Sequence, residues 1–175
     1  VSYIHNNDNS FRQAVFFGST IYLSDIANQE LNINGLDYKF SGNLIKPGIN
    51  QKDNLSDILF SLLNVSYLWG GRSISGIDCS GFTQLVYKIL GIKMPRDASQ
   101  QALLGQTIDS LSDVQFGDLA FFVNENDRIS HVGFLLDKNQ IIHASGQVKI
   151  NFIDAQGIII GNKQYSHKLK TIKRI

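Results

Sequence analysis

The spacing of apolar residues changes kind partway along this chain, and that change limits the fold more than any other feature. Between residues 53 and 105 the apolar positions recur at helical intervals. Leu55, Ile58, Leu59, Leu62 and Leu63 form one stripe, with Asp53 or Asn54 placed to cap it. Phe82, Leu85, Val86 and Ile89 form a second stripe, over a helix expected from Cys79 or Ser80 to Leu90 and stopped by Gly91. A short helix is expected at 97–104, ending at Gly105. Beyond it the apolar runs are short and rich in β-formers: 119–123, 130–136, 140–144, 148–153 and 169–172. Helices first and a consecutive run of strands afterwards predict an α+β fold with an antiparallel sheet. No internal repeat is visible.

Residues 1–50 have a different texture. Strand-type segments at 14–23, 30–33 and 37–40 are separated by the turn pairs Asn34-Gly35 and Ser41-Gly42, and residues 6–9 are polar enough to be a loop. Asn-Gly between Ile33 and Leu36 predicts a hairpin, because both central positions of a type I′ turn need positive φ. The segment reads as a small β-barrel or part of one, closed off by the breaker cluster Lys46-Pro47-Gly48. Two domains are therefore expected, 1–50 and 51–175.

Charge and composition exclude several roles. Sixteen basic residues offset by fifteen acidic ones leave a net charge of +1, which gives no electrostatic basis for binding nucleic acid. The mildly basic tail 163–173 reads as a solvated strand face. With 43% hydrophobic and 18% charged residues the chain suits a soluble globular fold, and no apolar run is long enough to span a bilayer. It begins at Val1, so it reads as a processed or excised chain whose upstream segment could have held an export signal.

A single cysteine makes no intramolecular disulfide and no paired-cysteine metal framework. By default such a residue is a small buried hydrophobe. The setting of Cys79, in Gly76-Ile77-Asp78-Cys79-Ser80-Gly81-Phe82, suggests more. It falls at the expected start of a helix, where unpaired N–H groups and the dipole favour an anion and should lower the thiol pKa. The same amides could hold the oxyanion of a tetrahedral intermediate. Gly81 would leave room there for a substrate backbone.

A nucleophilic cysteine needs a base, and the chain has four histidines. His5 and His167 lie in polar stretches and read as exposed bystanders. His131 and His143 each interrupt an apolar strand, where burying an imidazole is costly unless it has partners. A hairpin turning at 137–139 would make their strands antiparallel neighbours and bring both to one end and one face, provided no bulge intervenes. Two histidines placed so can form a base and the group that orients it. Zinc bound by Cys79, His131 and His143 matches no usual ligand spacing, so neither metal nor cofactor is expected.

Six short motifs, in order over about residues 55–175, resemble the NlpC/P60 family of cysteine peptidases. They are Tyr67-Leu68-Trp69-Gly70-Gly71, Asp78-Cys79-Ser80-Gly81-Phe82, Pro95-Arg96-Asp97, Gly117-Asp118-Leu119-Ala120-Phe121-Phe122, Ser130-His131-Val132-Gly133 and Ile142-His143-Ala144-Ser145. The resemblance implies a papain-like catalytic domain, helices packed on an antiparallel sheet, with Cys79 as nucleophile, His131 as general base and His143 as the group that orients it. It implies hydrolysis of peptidoglycan stem peptides or muropeptides, often between D-glutamate and a diamino acid. Tyr67 would hydrogen-bond near the oxyanion. Asp78 would contact the free amino group of substrates that begin with L-alanine, and Ser80 would line the same pocket.

Alternatives stay open at several positions. Tyr67 and Trp69 also suit a core, Asp78 a helix cap, and Asp118 the turn into its strand. Ser99 is a further substrate-contact candidate, although Ala98 stands where the family commonly has Ser or Thr. Residues 1–50 resemble, by β pattern and position, the bacterial SH3-like domains that often precede such a catalytic domain. The implied protein is a monomer working outside the membrane, in the periplasm, at the cell surface or secreted, with cytoplasmic fragment recycling as the alternative. Two other functions compete: a related papain-like amidase or acyltransferase, and a catalytically silent wall-binding module.

Overall fold

Turn chemistry organises the N-terminal segment. In the computed structural model, which describes residues 2–48, 54–162 and 164–175, this segment is one of two units, Val1–Lys46 and Pro47–Ile175. It holds four strands, β1 (Ser2–His5), β2 (Arg12–Val15), β3 (Glu30–Ile33) and β4 (Leu36–Ser41), in one antiparallel sheet of order β2-β1-β4-β3. Asn34 and Gly35 join β3 to β4 with φ of 53° and 83°, as a type I′ turn requires. The strand expected at 14–23 stops at Val15. A turn closed by Ser19 N–H to the Phe16 carbonyl (3.0 Å) breaks it. His5 bonds to Ser41 Oγ at 2.8 Å within this unit.

The second unit opens with α1 (Leu55–Ser61), where Asn54 occupies the N-cap position and Asp53 lies outside the described residues. Ile58, Leu59 and Leu62 bury its apolar stripe. A two-stranded ribbon, β5 (Arg72–Ser73) with β6 (Gly76–Ile77), shapes the glycine-rich stretch ahead of α2 (Cys79–Ile89). The α2 stripe fixes its seat: Phe82, Leu85, Val86 and Ile89 are buried, and Phe82 and Tyr87 meet Phe134 at ring distances of 5.5 and 5.7 Å. Burying one such phenyl ring contributes roughly 1.5–3 kcal/mol. Ile92 N–H to the Tyr87 carbonyl (2.8 Å) closes the helix end. The third helix, α3 (Ala98–Gln101), is shorter than the expected 97–104, because the chain tightens after Gln101 into three-residue turns such as Leu103 N–H to the Gln100 carbonyl.

Seven strands follow: β7 (Gln106–Ile108), β8 (Leu119–Val123), β9 (Ile129–Leu135), β10 (Gln140–Ser145), β11 (Gln147–Ile153), β12 (Gly157–Ile160) and β13 (Gln164–Arg174). All their pairings are antiparallel, in the order β12-β11-β10-β9-β8-β13-β7. β7 and β12 are not among the expected strands, and β13 runs well beyond the expected 169–172. That long strand pairs with β8 and also with β12, so β8 to β13 close into a ring. Ala120, Phe122, Leu135, Ile141, Ile153, Ile158 and Ile172 form its core cluster.

Asp118, buried just before β8, accepts from Gln115 N–H and from the Arg174 guanidinium, tying the turn into β8 to the end of β13. Along β13 the exposed lysines Lys168 and Lys170 alternate with half-buried residues, as a solvated strand face would; Lys163 lies outside the described residues.

Candidate active site

Asp78 organises the entry to α2. Its side chain caps the helix by accepting from Gly81 N–H at 2.7 Å, and it also accepts from Gly70 N–H at 2.8 Å. Arg96 adds both of its terminal nitrogens, and Ser80 donates its hydroxyl. Burial works to raise the Asp78 pKa, but Arg96 and the two amides outweigh it and the carboxyl stays below its usual range. Five donors on one carboxylate bind the glycine-rich loop, the helix start and the Arg96 segment together. Gly81 does not open space for substrate as expected: a Cβ there would fall 2.2 Å from the Gly71 carbonyl oxygen. Buried Gln101 fixes α3 to α2 through Thr83 Oγ1 (2.6 Å) and the Ser80 carbonyl (3.1 Å), a tie with no sequence signal.

Cys79 stands at the first position of α2 and is only 6% exposed. Its Sγ lies 3.9 Å from the carbonyl oxygen of Ser130, the residue before His131. The expected lowering of its pKa is reversed. Burial first, and the Asp78 charge second, push the thiol up, while the amides of Ser80, Val132 and Cys79 act the other way without prevailing. At rest this is a neutral thiol.

Three adjacent strands carry the histidine side of the site. Gly133 of β9 pairs with His143 of β10, which pairs with Lys149 of β11. His131 and Asn151 lie two residues from those partners, on the same strand faces and therefore diagonal to His143. The rings of His131 and His143 meet edge to face at 5.0 Å, with His131 Nε2 to His143 Nδ1 at 2.8 Å. His143 Nε2 in turn lies 3.0 Å from Asn151 Oδ1. The pairing of two strand histidines at one end of a hairpin is as the spacing predicted; Asn151 was not foreseen. Desolvation holds the His131 pKa well below its ordinary value, helped by His167, His143 and Lys149. Burial likewise lowers His143 to about 4 although the Asn151 bond opposes it.

His167 is no bystander. It lies on β13, half-buried, and its ring stacks on that of His131 at 4.1 Å with 27° between planes. The ring closure places it there by bringing β13 round to β8 and β12, and nothing local in Ser166-His167-Lys168 could have announced it.

The remaining candidates divide. Tyr67 is half-buried, and its pKa is raised by burial first and then by electrostatic interaction with Cys79 and Asp78 when they are ionised, which places its hydroxyl near both. Ser80 is buried and joined to Arg96 Nη1 at 2.8 Å. Trp69 is 83% exposed on the glycine-rich loop, so its core reading fails. Ser99 is exposed on α3 while Ala98 faces inward, so the structure does not gather Ser99 with the other residues. Among the described residues, no three His, Cys, Asp or Glu side chains are grouped to hold a metal.

A buried cysteine at a helix start, its sulfur against the strand that carries one of two hydrogen-bonded histidines, defines the class of site. Residues 64–168 match the model of the NlpC/P60 family, and the chain belongs to that family. Over 103 residues it is 39% identical to the gamma-D-glutamyl-L-lysine dipeptidyl-peptidase of Bacillus subtilis (strain 168), covering 56% of this chain and 34% of that protein. Over 140 residues it is 29% identical to the murein DD-endopeptidase MepS/murein LD-carboxypeptidase of Escherichia coli (strain K12), covering 75% and 69%. The crystal structure of an NlpC/P60 family protein from Bacillus cereus ATCC 10987 superposes with a TM-score of 0.76 at 22% identity, over 99% of this chain and 59% of that one. The chain thus spans about a third of the B. subtilis relative. Among the described residues, no helix is long and apolar enough to cross a membrane.

Proposed function

We propose that the chain is a cysteine peptidase that hydrolyses amide bonds in peptidoglycan stem peptides, cutting between D-glutamate and a diamino acid through a thioester. The observation that carries this reading is the 2.8 Å bond between His131 and His143 on the strand that brings Ser130 against the Cys79 thiol. Family membership and the names of the two relatives support the substrate class.

In this mechanism His131 takes the thiol proton through Nδ1 as Cys79 Sγ attacks the substrate carbonyl carbon. The oxyanion is received by the Cys79 amide at the helix start, with Tyr67 nearby. Collapse of the intermediate breaks the C–N bond, and the leaving amine takes its proton from His131. Water, deprotonated by His131, then hydrolyses the thioester, releasing the carboxylate and restoring the thiol. His143 orients the base throughout. Asp78 and Ser80 line the pocket for the substrate's amino end, with Asp78 sharing its carboxylate between substrate and Arg96. Trp69 and Ser99 are outer contacts, and Trp69 offers an open aromatic face.

The helices lie on the antiparallel strands in a papain-like arrangement in this reading. The N-terminal unit is an SH3-like domain, domains run 1–50 and 51–175, and the protein acts as a monomer outside the membrane. Cys79→Ala should abolish turnover of a muramyl tripeptide, with an unchanged circular dichroism spectrum. Retained cleavage by that folded variant overturns the assignment, and products in which sugar is separated from peptide assign an amidase instead.

A further inference from the structure

Asn151 has no place in the sequence motifs, yet it ends the hydrogen-bond chain that begins at the base. We infer that Asn151 is a positioning residue whose side-chain oxygen sets the proton arrangement of His143 and His131, leaving the free lone pair on His131 Nδ1. The inference rests on the reading of His131 as the base for Cys79.

An amide oxygen only accepts, so His143 Nε2, 3.0 Å from Asn151 Oδ1, must carry a hydrogen. His143 is 1% exposed and its burial favours the neutral ring, which has one N–H. Its Nδ1 is then a bare acceptor. His131 Nε2, 2.8 Å away, must therefore donate, and the neutral His131 ring keeps its lone pair on Nδ1. That nitrogen is the one not engaged by His143, so it is free to take a thiol proton. Reversing every bond would put the hydrogen on His131 Nδ1 and leave no base.

Without the Asn151 oxygen, both proton orders satisfy the histidine pair equally, and half of the base's preparation is lost. The same chain matters after proton transfer. Imidazolium at His131 donates from Nε2 into His143, whose far side is already anchored. The oxygen also faces an otherwise unfavourable setting for that cation, because Lys149 lies across from His143 on β11 and His167 stacks on His131 from β13. Phe122 of β8, the remaining ring neighbour, adds no charge.

The test uses the full chain, with ¹⁵N-labelled histidine and stem-peptide kinetics in parallel. In the unaltered protein near neutral pH, His131 and His143 should each show a protonated Nε2 and a bare Nδ1. Asn151→Leu should mix the two tautomers and lower kcat about ten- to a hundredfold with little change in KM, a part of the 10²–10⁴-fold that general-base catalysis supplies. Asn151→Asp keeps the acceptor, should restore the single tautomer, and should move the acid limb of the kcat profile to higher pH by favouring protonated His143. A single unchanged tautomer in Asn151→Leu, or an unmoved acid limb in Asn151→Asp, overturns the inference. If no stem peptide is cleaved by the unaltered protein, the peptidase reading falls while the nitrogen signals still decide the role of Asn151.

Discussion

At the scale of single residues, the site is prepared by burial more than by charge. Placing a cysteine at a helix start predicts a thiolate, and the dipole and amides do act in that direction. Here the thiol is nearly enclosed and sits beside the Asp78 carboxylate, and those two effects win. The histidines are also held neutral, so the resting pair is thiol and imidazole rather than thiolate and imidazolium. In the proposed mechanism, proton transfer then accompanies attack on the substrate, when the oxyanion supplies the compensating charge. Alkylation of Cys79 by iodoacetamide should therefore be slow at pH 6 and climb through pH 8.5, the ordinary thiol value. A rate already on its plateau at pH 6 would show a resting thiolate and contradict this account. Asp78 matters twice: it caps α2, and its charge helps to raise the thiol pKa.

At the scale of elements, the diagonal alignment of His131, His143 and Asn151 depends on close approach of β9 and β10. Gly133 pairs with His143, and a Cβ at Gly133 would fall 2.7 Å from the His143 Cβ and 2.9 Å from the Ile142 carbonyl. Gly133→Ala should displace His143, cost about 1–3 kcal/mol as overpacking, and lower kcat more than KM. Urea denaturation and stem-peptide kinetics check the two halves; an unchanged kcat would mean that β10 yields without moving the ring. Much of this level was legible in the sequence. The α2 stripe, the Asn34-Gly35 turn and the hairpin carrying His131 and His143 follow from local periodicity, because each element's apolar spacing agrees with its final seat. The unforeseen parts are those set by long-range pairing. Residues 16–23 have β-forming side chains but a turn at Phe16–Ser19, while β12 and most of β13 become strands by closing the ring. His167 reaches the site only through that closure, so no local pattern could reveal it, whereas Asn151 arrives through the tight β10–β11 hairpin and carries no motif that marks it.

At the scale of the whole molecule, two buried imidazoles and a half-buried third make stability depend on pH. His143 is held near 4 in the folded chain against the 6.5 of a free imidazole, with His131 and His167 displaced the same way. Between those two values the unfolded chain binds protons that the folded chain refuses, so stability rises with pH across this window and falls on acidification. His143 alone accounts for about 3 kcal/mol by pH 4, a large share of the ~5–15 kcal/mol that a domain possesses. Asp78 acts in the same direction but lower: its contribution is present above the ordinary carboxylate range and disappears as pH falls through its depressed folded value. Urea midpoints, followed by circular dichroism because the lone Trp69 is too exposed to report unfolding, should fall steadily from pH 7 to pH 4.5. His143→Gln, which keeps a polar side chain but cannot titrate, should flatten that slope even if it is less stable at pH 7. An equally steep fall in the variant would place the acid sensitivity elsewhere than at His143.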